Sequence, residues 1–571
     1  MTAPFWEKSY PEGVKWALDI QPKPIWSILD EAVAKFAPKP FLEFMGKKLT
    51  YAAVSDLVDR AAKGFQALGV GPGVHVGLFL PNTPHYPILF FGILKAGGRV
   101  VNYSPLDAER ELRYKIEDSQ TDIICTLDLN ALYPNIAKML GTTRLKKVVV
   151  GGLPDVLPFP KNFLFPLLKG KEIANVPKDD RHVRFSDLVA NDGRYTPHAV
   201  KNPADEVAIL QYTGGTTGVP KGAMLTHGNI TATVQMYCSW TAQNKALNLT
   251  DGEERALMVL PMFHIYGLSA VLLRMMVLGA EMVLHPRFDL QAVIQDLHKK
   301  KITIFPGVPT MYAAIIGLKN IKDYDLSALK FCASGGAPLP VEVQDKFEEL
   351  TGHKMIEGWG MTETSPAGTQ TVYGGQRRRG SCGLPLPGIT MEIVDVEDPL
   401  KVLGIGERGE ICIKGPNVMK GYWNKPEATE EAFAGGRFHT GDVGYIDEDG
   451  YIFIVDRKKD MILSGGFNVY PRNIEEAIYE HPSVEECTVI GVPDQYRGQS
   501  AKAFIKLKPG APSFDFEALK SFLKDKLGKH EMPVAMEIRE ALPKTLIGKL
   551  SKKELVEEEK KKYEAAQKAT G

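Results

Sequence analysis

The sequence has no excess of either charge, few cysteines and no Cys-x-x-Cys pair. Its 69 basic and 69 acidic residues cancel, which argues against a nucleic-acid-binding protein, whose surface needs a basic excess. The six cysteines lie far apart along the chain, so neither a disulfide framework nor a zinc site is indicated. We therefore expect buried, reduced thiols and no nucleic acid among the partners.

The sequence also has no hydrophobic run long enough to cross a membrane. The longest one, Ile88–Leu94, falls far short of the ~20 residues of a spanning helix. The first residues contain no apolar stretch typical of a secretory signal, so we expect a cytoplasmic protein. In segment 153–171, however, bulky apolar residues alternate with prolines and are flanked by lysines. Two interpretations stay open for it: a peripheral contact with the inner face of the membrane, or a loop that packs on the core.

Residues 212–222 lack the Gly-Lys-Ser/Thr ending of the common P-loop, since Gly222 follows Lys221. The stretch is nevertheless rich in glycine and threonine. Glycine lets the main chain approach a ligand closely, hydroxyls and amides donate to phosphate oxygens, and lysine adds a positive charge. The composition predicts a loop around the phosphates of a nucleotide, with an exposed turn as the alternative. The residues concerned are Thr213, Gly214, Gly215, Thr216, Thr217, Gly218 and Lys221.

Hydrophobic periodicity predicts that helices and strands alternate over most of the chain. Residues 51–68 carry apolar side chains at the i, i+3, i+4, i+7 spacing of an amphipathic helix, and short apolar strands follow. This order indicates an α/β fold with mainly parallel sheets, in which ligands gather beyond the carboxyl ends of strands. The predicted strands are 74–80, 99–102, 148–150, 208–212, 257–260, 302–305 and 331–333.

The pattern changes beyond 380, where antiparallel strands are indicated around a hairpin turn at Asp449-Gly450. A dense charge run at 456–460 precedes a compact stretch in which Pro471 opens a helix. We therefore predict a large N-terminal domain of several layered subdomains, residues 1–458, and a small, mobile α+β C-terminal domain, residues 459–571. The Lys/Glu-rich tail 552–571 is expected to fray.

Four further motifs contain residues suited to nucleotide binding or catalysis. Residues 358–364 offer a tryptophan face for a base and a carboxylate for a cation, and residues 439–442 place a carboxylate in a glycine turn suited to ribose hydroxyls. A second glycine turn at 334–338 follows a predicted strand, and residues 543–549 place a lysine on a late loop. Each motif is weak alone, because an aspartate in a glycine turn is more often a turn former. Their combination and order are much more specific.

With these motifs, the chain resembles the adenylate-forming acyl-CoA synthetases and, within them, bacterial long-chain fatty acid–CoA ligases. The resemblance extends from Thr50 to Lys549. It implies that ATP and a fatty acid, or another carboxylic acid, give an acyl-adenylate, whose acyl group then passes to coenzyme A. ATP, Mg²⁺ and coenzyme A are the implied cofactors and co-substrates, and AMP and pyrophosphate are the implied by-products.

The resemblance also implies residue roles. Thr213 through Lys221 match the loop at the β- and γ-phosphates, and Thr213 and Glu363 match the positions that anchor magnesium. Lys549 matches a lysine at the reacting carboxylate, and His264 belongs to a motif beside the acyl site. Trp359 stands where most relatives have tyrosine, which keeps a stacking face but removes a hydroxyl. Positions matched to adenine, ribose, hinge and pantetheine contacts are Gly335, Gly336, Ala337, Gly358, Gly360, Met361, Thr362, Asp442, Arg457, Lys459, Gly465 and Gly466.

Three alternatives stay open at this point. The same two-step ligase could act on a medium-chain, aromatic or terpenoid acid, the scaffold could be a non-catalytic nucleotide-binding module, or the glycine-rich loop could serve a phosphotransferase. The last is disfavoured by the missing Gly-Lys-Ser/Thr ending. The sequence leaves the oligomeric state open, a homodimer included.

Overall fold

The chain divides into two compact units. The computed structural model describes residues 3–213, 219–242, 247–375, 378–464, 467–494, 496–544 and 550–570, with the backbone alone at 467, 468 and 566–570. The first unit comprises the residues up to Thr213 together with Pro220–Thr390 and Lys414–Glu431. The second comprises Met391–Ile413 and the chain from Ala432 onward. The predicted boundary at 458/459 stays a prediction.

Strands and helices alternate as the sequence predicts. The strands are β1 Pro40–Phe44, β2 Lys47–Thr50, β3 His75–Leu78, β4 Arg99–Asn102, β5 Thr121–Leu127, β6 Lys147–Gly151, β7 His182–Arg184, β8 Val207–Thr213, β9 Lys221–Thr226, β10 Arg255–Met258, β11 Glu281–Leu284, β12 Ile304–Gly307, β13 Phe331–Gly335, β14 Met355–Trp359, β15 Thr369–Gln370, β16 Ser381–Pro385, β17 Thr390–Val394, β18 Gly409–Lys414, β19 Phe438–Ile446, β20 Ile452–Arg457, β21 Ile462–Ser464, β22 Phe467–Val469, β23 Val484–Asp494, β24 Gly498–Leu507 and β25 Ala535–Ile538.

The α-helices connect these strands. They are α1 Ser27–Phe36, α2 Tyr51–Ala67, α3 His85–Lys95, α4 Glu109–Asp118, α5 Tyr133–Ala137, α6 Leu153–Val156, α7 Lys161–Leu168, α8 Phe185–Leu188, α9 His227–Ala242, α10 Arg274–Val277, α11 Leu290–Lys299, α12 Pro309–Ile316, α13 Val341–Thr351, α14 Pro426–Ala432, α15 Pro471–Tyr479, α16 Phe516–Leu523 and α17 Lys553–Thr570. A π-helical segment, Tyr266–Leu273, leads into α10.

Two mainly parallel sheets build the first unit, so the predicted α/β fold is confirmed. In one sheet the strand order is β7-β6-β5-β3-β4-β8-β9, parallel except for the β8/β9 pair. In the other, β14, β13, β12, β10, β11 and β1 run parallel in that order. Antiparallel strands flank this second set, with β2 beside β1 and β15 and β16 beyond β14. Parallel strands buried on both faces explain the near-continuous apolar runs of the sequence.

In the helix predicted at 51–68, the apolar positions of the sequence form the buried face. Thr50 caps α2, because its Oγ1 accepts the Ala53 N–H at 3.1 Å. The apolar stripe of this helix, including Val54, Val58 and Phe65, is fully buried. The predicted strand 257–260 is instead found two residues earlier, as β10. From Met258, the last residue of β10, to Met262, the chain makes hydrogen bonds to the side chain of Asn82.

The second unit is built from antiparallel pairs. Strand β19 pairs with β18 and β20, and the hairpin predicted at Asp449-Gly450 joins β19 to β20. Beyond residue 460, β21, β22, β23 and β24 form a further sheet, to which β25 adds in parallel to β24. Its core packs α15 and α16 on the sheet through the buried side chains of Ile474, Ile478, Leu519 and Leu523.

The expectation that the tail frays is wrong as far as its side chains are described, through residue 565. Residues 553–570 form helix α17, and Leu555 is buried in a cluster with Ile490, Phe504 and Leu542. Glu559 forms an ion pair with Lys502 at 2.8 Å. The Lys/Glu-rich composition therefore belongs to an amphipathic helix with one anchored face rather than to a loose tail.

Segment 153–171 folds as α6, α7 and a short 3-10 turn, and no residue of α7 is buried. The core-packing interpretation is therefore wrong for this helix. No helix in the described part of the chain is long and apolar enough to span a bilayer. All six cysteines are free thiols, and five of them are buried, as expected.

Candidate active site

The two ends of the predicted phosphate loop are held together by a strand pair. Thr213 ends β8, Lys221 begins β9, and the two residues lie opposite each other in the antiparallel register. The Thr213 Oγ1 lies 3.4 Å from the Lys221 carbonyl oxygen and donates to it. The predicted binding residues Gly214, Gly215, Thr216, Thr217 and Gly218 lie outside the described residues. The structure thus places the Thr213 hydroxyl where this loop begins and the Lys221 side chain where it ends.

Glu363 lies in a tight turn directly after β14. The turn is closed by Thr364, whose Oγ1 accepts the Met361 N–H at 3.1 Å. Asn417 supports the turn from outside, since its Nδ2 donates to the Thr364 carbonyl at 2.8 Å. The Met419 N–H donates to the Glu363 carbonyl at 2.8 Å. The carboxylate of Glu363 is therefore carried by a backbone with few remaining degrees of freedom.

Tyr422 connects Glu363 with Lys221. The Tyr422 hydroxyl donates to Glu363 Oε1 at 2.9 Å, and the Lys221 Nζ lies 4.9 Å from the centre of the Tyr422 ring. Burial, followed by the nearby Glu363 charge, holds the pKa of Tyr422 well above its usual value, so the hydroxyl stays a donor. Sequence reasoning missed this residue. Its only local signal is a Gly-Tyr-Trp stretch at 421–423, which looks like an ordinary turn.

Trp359 is half-buried at the end of β14, and glycines approach it closely. A Cβ added to Gly368 would lie 2.9 Å from Cε3 of the indole ring. A Cβ added to Gly360 would lie 1.5 Å from the Pro366 carbonyl oxygen, so no other residue fits there. Together with Gly358, Met361 and Thr362, these residues form the predicted aromatic segment at the carboxyl end of β14.

The predicted turn Gly335, Gly336 and Ala337 lies beside this segment. Gly335 ends β13 and pairs in register with Gly358 of β14. Gly336 has a φ of +81°, a left-handed conformation that favours glycine. A Cβ on Gly335 would come within 3.1 Å of the Tyr266 ring, which packs directly on this backbone. The two predicted motifs therefore share the carboxyl edge of neighbouring parallel strands.

His264 occupies a turn at the same edge and is half-buried. Its Nδ1 accepts the Tyr266 N–H at 3.3 Å, so in the neutral ring the proton sits on Nε2. Gly267 closes the turn, since a Cβ there would lie 2.1 Å from the Pro261 carbonyl oxygen. The π-helical segment begins directly after this turn, and such irregular turns occur frequently at functional sites.

A buried polar chain links this turn to β8. Tyr86 donates to Asn102 Oδ1 at 2.8 Å, Asn102 Nδ2 donates to Gln211 Oε1 at 2.8 Å, and Gln211 Nε2 donates to the Phe263 carbonyl at 2.9 Å. Gln211 precedes Thr213 by two residues, so the chain ties the phosphate-loop strand to the His264 turn. Sequence reasoning missed it. A single glutamine within the apolar strand was the available signal.

In the second unit, Asp442 and Arg457 form an ion pair. They lie opposite each other on β19 and β20, and Arg457 Nε is 2.6 Å from Asp442 Oδ1. The Asp442 side chain is almost fully buried, whereas Arg457 is about half exposed. The Asp442 N–H donates to Thr440 Oγ1 at 3.1 Å, and Gly441 between them has a φ of +71°. The Asp442 carboxylate, which is predicted to bind ribose, is thus already oriented by the Arg457 cation.

Glu410, which sequence reasoning missed, organises the same turn. It accepts from the Gly441 N–H at 3.0 Å and from Lys458 Nζ at 3.0 Å, and it lies 3.2 Å from His439 Nδ1. Burial alone would raise the pKa of Glu410, but Lys458 and His439 outweigh it and lower the pKa below its usual value. Lys459 lies in the turn after β20. Gly465, Gly466 and Lys549 lie outside the described residues.

The donors of the predicted metal position suit a hard cation. Thr213 and Glu363 supply a hydroxyl and a carboxylate oxygen. Mg²⁺ is usually held by one or two carboxylates together with substrate phosphates rather than by an all-protein cage. Thr213 and Glu363 therefore fit a magnesium ion whose remaining ligands would come from nucleotide phosphates and water.

Residues 29–423 match the family model described as AMP-binding enzyme, and residues 473–549 match the model described as AMP-binding enzyme C-terminal domain. The chain belongs to the AMP-binding enzyme family. This AMP-binding enzyme is 42% identical over 556 residues to the long-chain-fatty-acid–CoA ligase of Bacillus subtilis (strain 168), covering 97% of this chain and 98% of that protein. The resemblance to adenylate-forming acyl-CoA synthetases is confirmed.

Solved structures with the same fold include an ATP-bound protein and a CoA ligase bound to an acyl-adenylate. ATP-bound MatB from Rhodopseudomonas palustris is 28% identical, with a TM-score of 0.81, covering 94% of this chain and 99% of that one. The anthranilate CoA ligase AuaEII in complex with anthranoyl-AMP is also 28% identical, with a TM-score of 0.80, covering 95% of this chain and 98% of that one. The AMP-binding enzyme fold of this chain is therefore also found in a CoA ligase that acts on an aromatic acid.

Proposed function

We propose that this AMP-binding enzyme activates a long-chain fatty acid with ATP and transfers the acyl group to coenzyme A. The proposal rests on the contacts that join Lys221, Tyr422 and Glu363 next to the predicted phosphate loop. It holds a cation and a carboxylate at the end of β8, which suits a nucleotide phosphate chain and its magnesium ion. Near-full-length similarity to a long-chain-fatty-acid–CoA ligase supports the choice of substrate.

A free carboxylate is a poor acyl donor, so its oxygen must first become a good leaving group. In the proposed first step, a carboxylate oxygen forms a bond to the α-phosphorus of ATP, and the bond to the bridging oxygen of pyrophosphate breaks. In the second step, the coenzyme A sulfur forms a bond to the acyl carbon, and AMP leaves with the carboxylate oxygen. Both reactants of the first step are anionic, so positioning and charge neutralisation dominate catalysis.

We propose the individual roles that the sequence resemblance implies. Lys221 neutralises phosphate oxygens, Trp359 offers its indole face to the adenine, and Asp442 accepts hydrogen bonds from the ribose hydroxyls. Thr213 and Glu363 would hold Mg²⁺, which supplies charge neutralisation on the phosphates when bound. Lys549 is proposed to contact the reacting carboxylate, and Gly465 and Gly466 to meet the pantetheine of coenzyme A.

Two half-reactions at one carbonyl need different neighbours, so we propose that the C-terminal domain swings about Lys459 between them. Lys459→Pro is expected to keep adenylation and lose thioester formation, and equal loss of both would contradict the hinge. Lys549→Ala is expected to abolish acid-dependent ATP–pyrophosphate exchange and to spare thioester formation from added acyl-adenylate. An unchanged exchange rate would remove Lys549 from the reaction.

The reaction class and the acid are tested together. A panel of carboxylic acids, from short to long chains and including anthranilate, is assayed for AMP release with and without coenzyme A. We expect AMP formation that depends on both acid and thiol, with an optimum among long chains. Release of ADP would indicate a phosphotransferase, and an optimum at anthranilate would favour the aromatic alternative, to which the similarity with AuaEII points.

A further inference from the structure

An exposed apolar patch lies on the first unit, in the connection between β6 and β7. It consists of Phe159, Phe163, Leu164, Leu167 and Leu168, whose exposed fractions are 84%, 68%, 40%, 71% and 76%. Scattered single apolar residues on a surface are common, but five large ones within ten residues are not. Such a concentration indicates a surface that is covered when the protein works.

The geometry of α7 puts its apolar side chains in two adjacent rows. Phe163 and Leu167 are four residues apart, and so are Leu164 and Leu168, while Phe159 lies just before the helix. An isolated helix of eight residues is unstable in water, and no residue of α7 is buried. The helix is therefore held at its base while its apolar side faces outward.

That base is anchored to the first unit by specific contacts. Val156 and Leu157, just before the patch, are buried. Lys161 Nζ donates to the Met45 carbonyl at 2.8 Å, and Lys47 Nζ donates to the Asp155 carbonyl at 2.9 Å. Met45 is itself half exposed beside Lys161. These contacts fix the direction of α7, so the outward apolar side is a feature of the fold.

The charges around the patch select one kind of partner. Residues 157–173 contain three lysines, Lys161, Lys169 and Lys171, and one acidic residue, Glu172. All three lysines are exposed, and the segment has a net charge of +2. The Lys161 ammonium is used in the contact with Met45, and Lys169 Nζ forms an exposed ion pair with Glu172 at 2.7 Å, which is weak enough to exchange for a lipid phosphate. An apolar side edged by cations fits an anionic phospholipid surface, in which acyl chains meet the apolar side chains and head groups meet the lysines.

We propose that α7 is a membrane-docking element that inserts the apolar patch into the interface of an anionic phospholipid bilayer. The proposal rests on the patch and its lysines, and it goes beyond the proposed reaction. If the substrate is a long-chain fatty acid, the same bilayer is the phase into which that acid partitions. Docking would then bring the enzyme to its substrate without any membrane-spanning segment.

Vesicle binding of the full-length protein tests the proposal. Cosedimentation uses phosphatidylcholine vesicles with and without about 30% phosphatidylglycerol. The triple variant Phe163→Ser, Leu167→Ser, Leu168→Ser is expected to lower the partition coefficient on anionic vesicles about 10²-fold, because three large apolar side chains are lost from the interface. The matched control is Leu400→Ser, Val402→Ser, Ile405→Ser, which removes three other exposed apolar side chains and is expected to bind like the wild type.

The charge contribution is tested separately. Lys169→Gln with Lys171→Gln is expected to weaken binding to anionic vesicles about 30-fold, because two lysine charges are lost, and to leave the weak binding to neutral vesicles unchanged. ATP–pyrophosphate exchange with a short, water-soluble acid should be the same in all variants, which shows that they fold. That assay also separates this proposal from the proposed function, since exchange can fail while vesicle binding persists.

Two outcomes would overturn the proposal. One is equal vesicle binding by the wild type and the patch variant. The other is a wild-type dimer, seen by light scattering, that the patch variant converts to a monomer while vesicle binding stays unchanged. In that case the patch would be an interface between two copies of this chain.

Discussion

The two units position their predicted nucleotide-binding residues by different means. In the first unit, Glu363 and Lys221 are positioned by backbone hydrogen bonds, a tyrosine hydroxyl and glycines that no larger residue could replace. In the second unit, Asp442 is held by the Arg457 cation, and the adjoining turn by the Glu410–Lys458 ion pair. The first arrangement depends on shape and the second on charge.

This difference has a physical consequence. Close packing and backbone hydrogen bonds respond little to pH and salt, whereas partly exposed ion pairs weaken as salt screens them. We therefore expect the first unit to keep its geometry over a wide range of conditions. The second unit should respond to the ionisation of its carboxylates.

The largest effect is expected from Glu363→Gln in the first unit. The amide keeps an oxygen for the Tyr422 hydroxyl but removes the charge that a magnesium–phosphate site requires. The rate of acid-dependent ATP–pyrophosphate exchange should fall about 10²–10³-fold, with little change in stability. Glu430→Gln, on an exposed residue of α14, is the control. A less than tenfold loss would show that Glu363 is not at the reacting phosphates.

A pair of glycine substitutions sharpens the comparison directly. Gly360→Ala should lower the free energy of unfolding by about 2–3 kcal/mol, because its Cβ collides with the Pro366 carbonyl. Gly441→Ala should cost about 1 kcal/mol, since a Cβ there meets open space and only its positive φ is strained. All six tryptophans belong to the first unit, so urea unfolding followed by tryptophan fluorescence reports on Gly360 and circular dichroism on both. Equal costs would contradict the distinction.

Asp442→Asn tests the charge-held part of the site. Loss of the carboxylate should raise the KM for ATP about tenfold, because an amide accepts weaker hydrogen bonds from ribose hydroxyls and no longer orients Arg457. The effect should be larger for KM than for kcat. Arg457→Met is the companion variant and should shift KM in the same direction. A pure kcat effect would move Asp442 from nucleotide binding to the chemical step.

The smallest effect is expected from Asp456→Asn, also in the second unit. Burial raises the pKa of Asp456 from 3.8 to about 6, with Lys552 acting in the opposite direction. The folded state thus holds this proton more tightly than the unfolded chain, so ionisation removes stability as the pH rises from 3.8 towards 6. The amide avoids this penalty, but it has one acceptor oxygen in place of two, so it keeps only one of the hydrogen bonds from the backbone N–H groups of Arg457 and Arg472. Above pH 6 the variant should therefore be more stable by about 1 kcal/mol.

Thermal unfolding followed by circular dichroism at several pH values measures this difference. The two proteins should converge near pH 4, where the carboxyl group is protonated in the folded state. A variant that is less stable at every pH would mean that the hydrogen bonds of Asp456 outweigh its burial.

Much of the fold could be predicted from the sequence because it is written in local patterns. The stripe of α2, the strand β8 and the hairpin at Asp449-Gly450 each depend on residues close together in the chain. Composition alone wrongly predicts a frayed tail, because it takes no account of the apolar positions within the Lys/Glu-rich sequence. Leu555 finds a core only through residues such as Ile490 and Phe504, more than fifty positions earlier.

The sequence by itself determined which residue types surround the predicted phosphate loop and that strands would alternate with helices, since both follow from residue chemistry and short-range periodicity. Only the tertiary structure decided that Tyr422 joins Lys221 to Glu363, that Gln211 reaches the His264 turn, and that Glu410 supports Gly441. These partners lie tens to hundreds of residues apart, and strand order brings them together. The same holds for α7, whose exposure follows from how its base is anchored rather than from its composition.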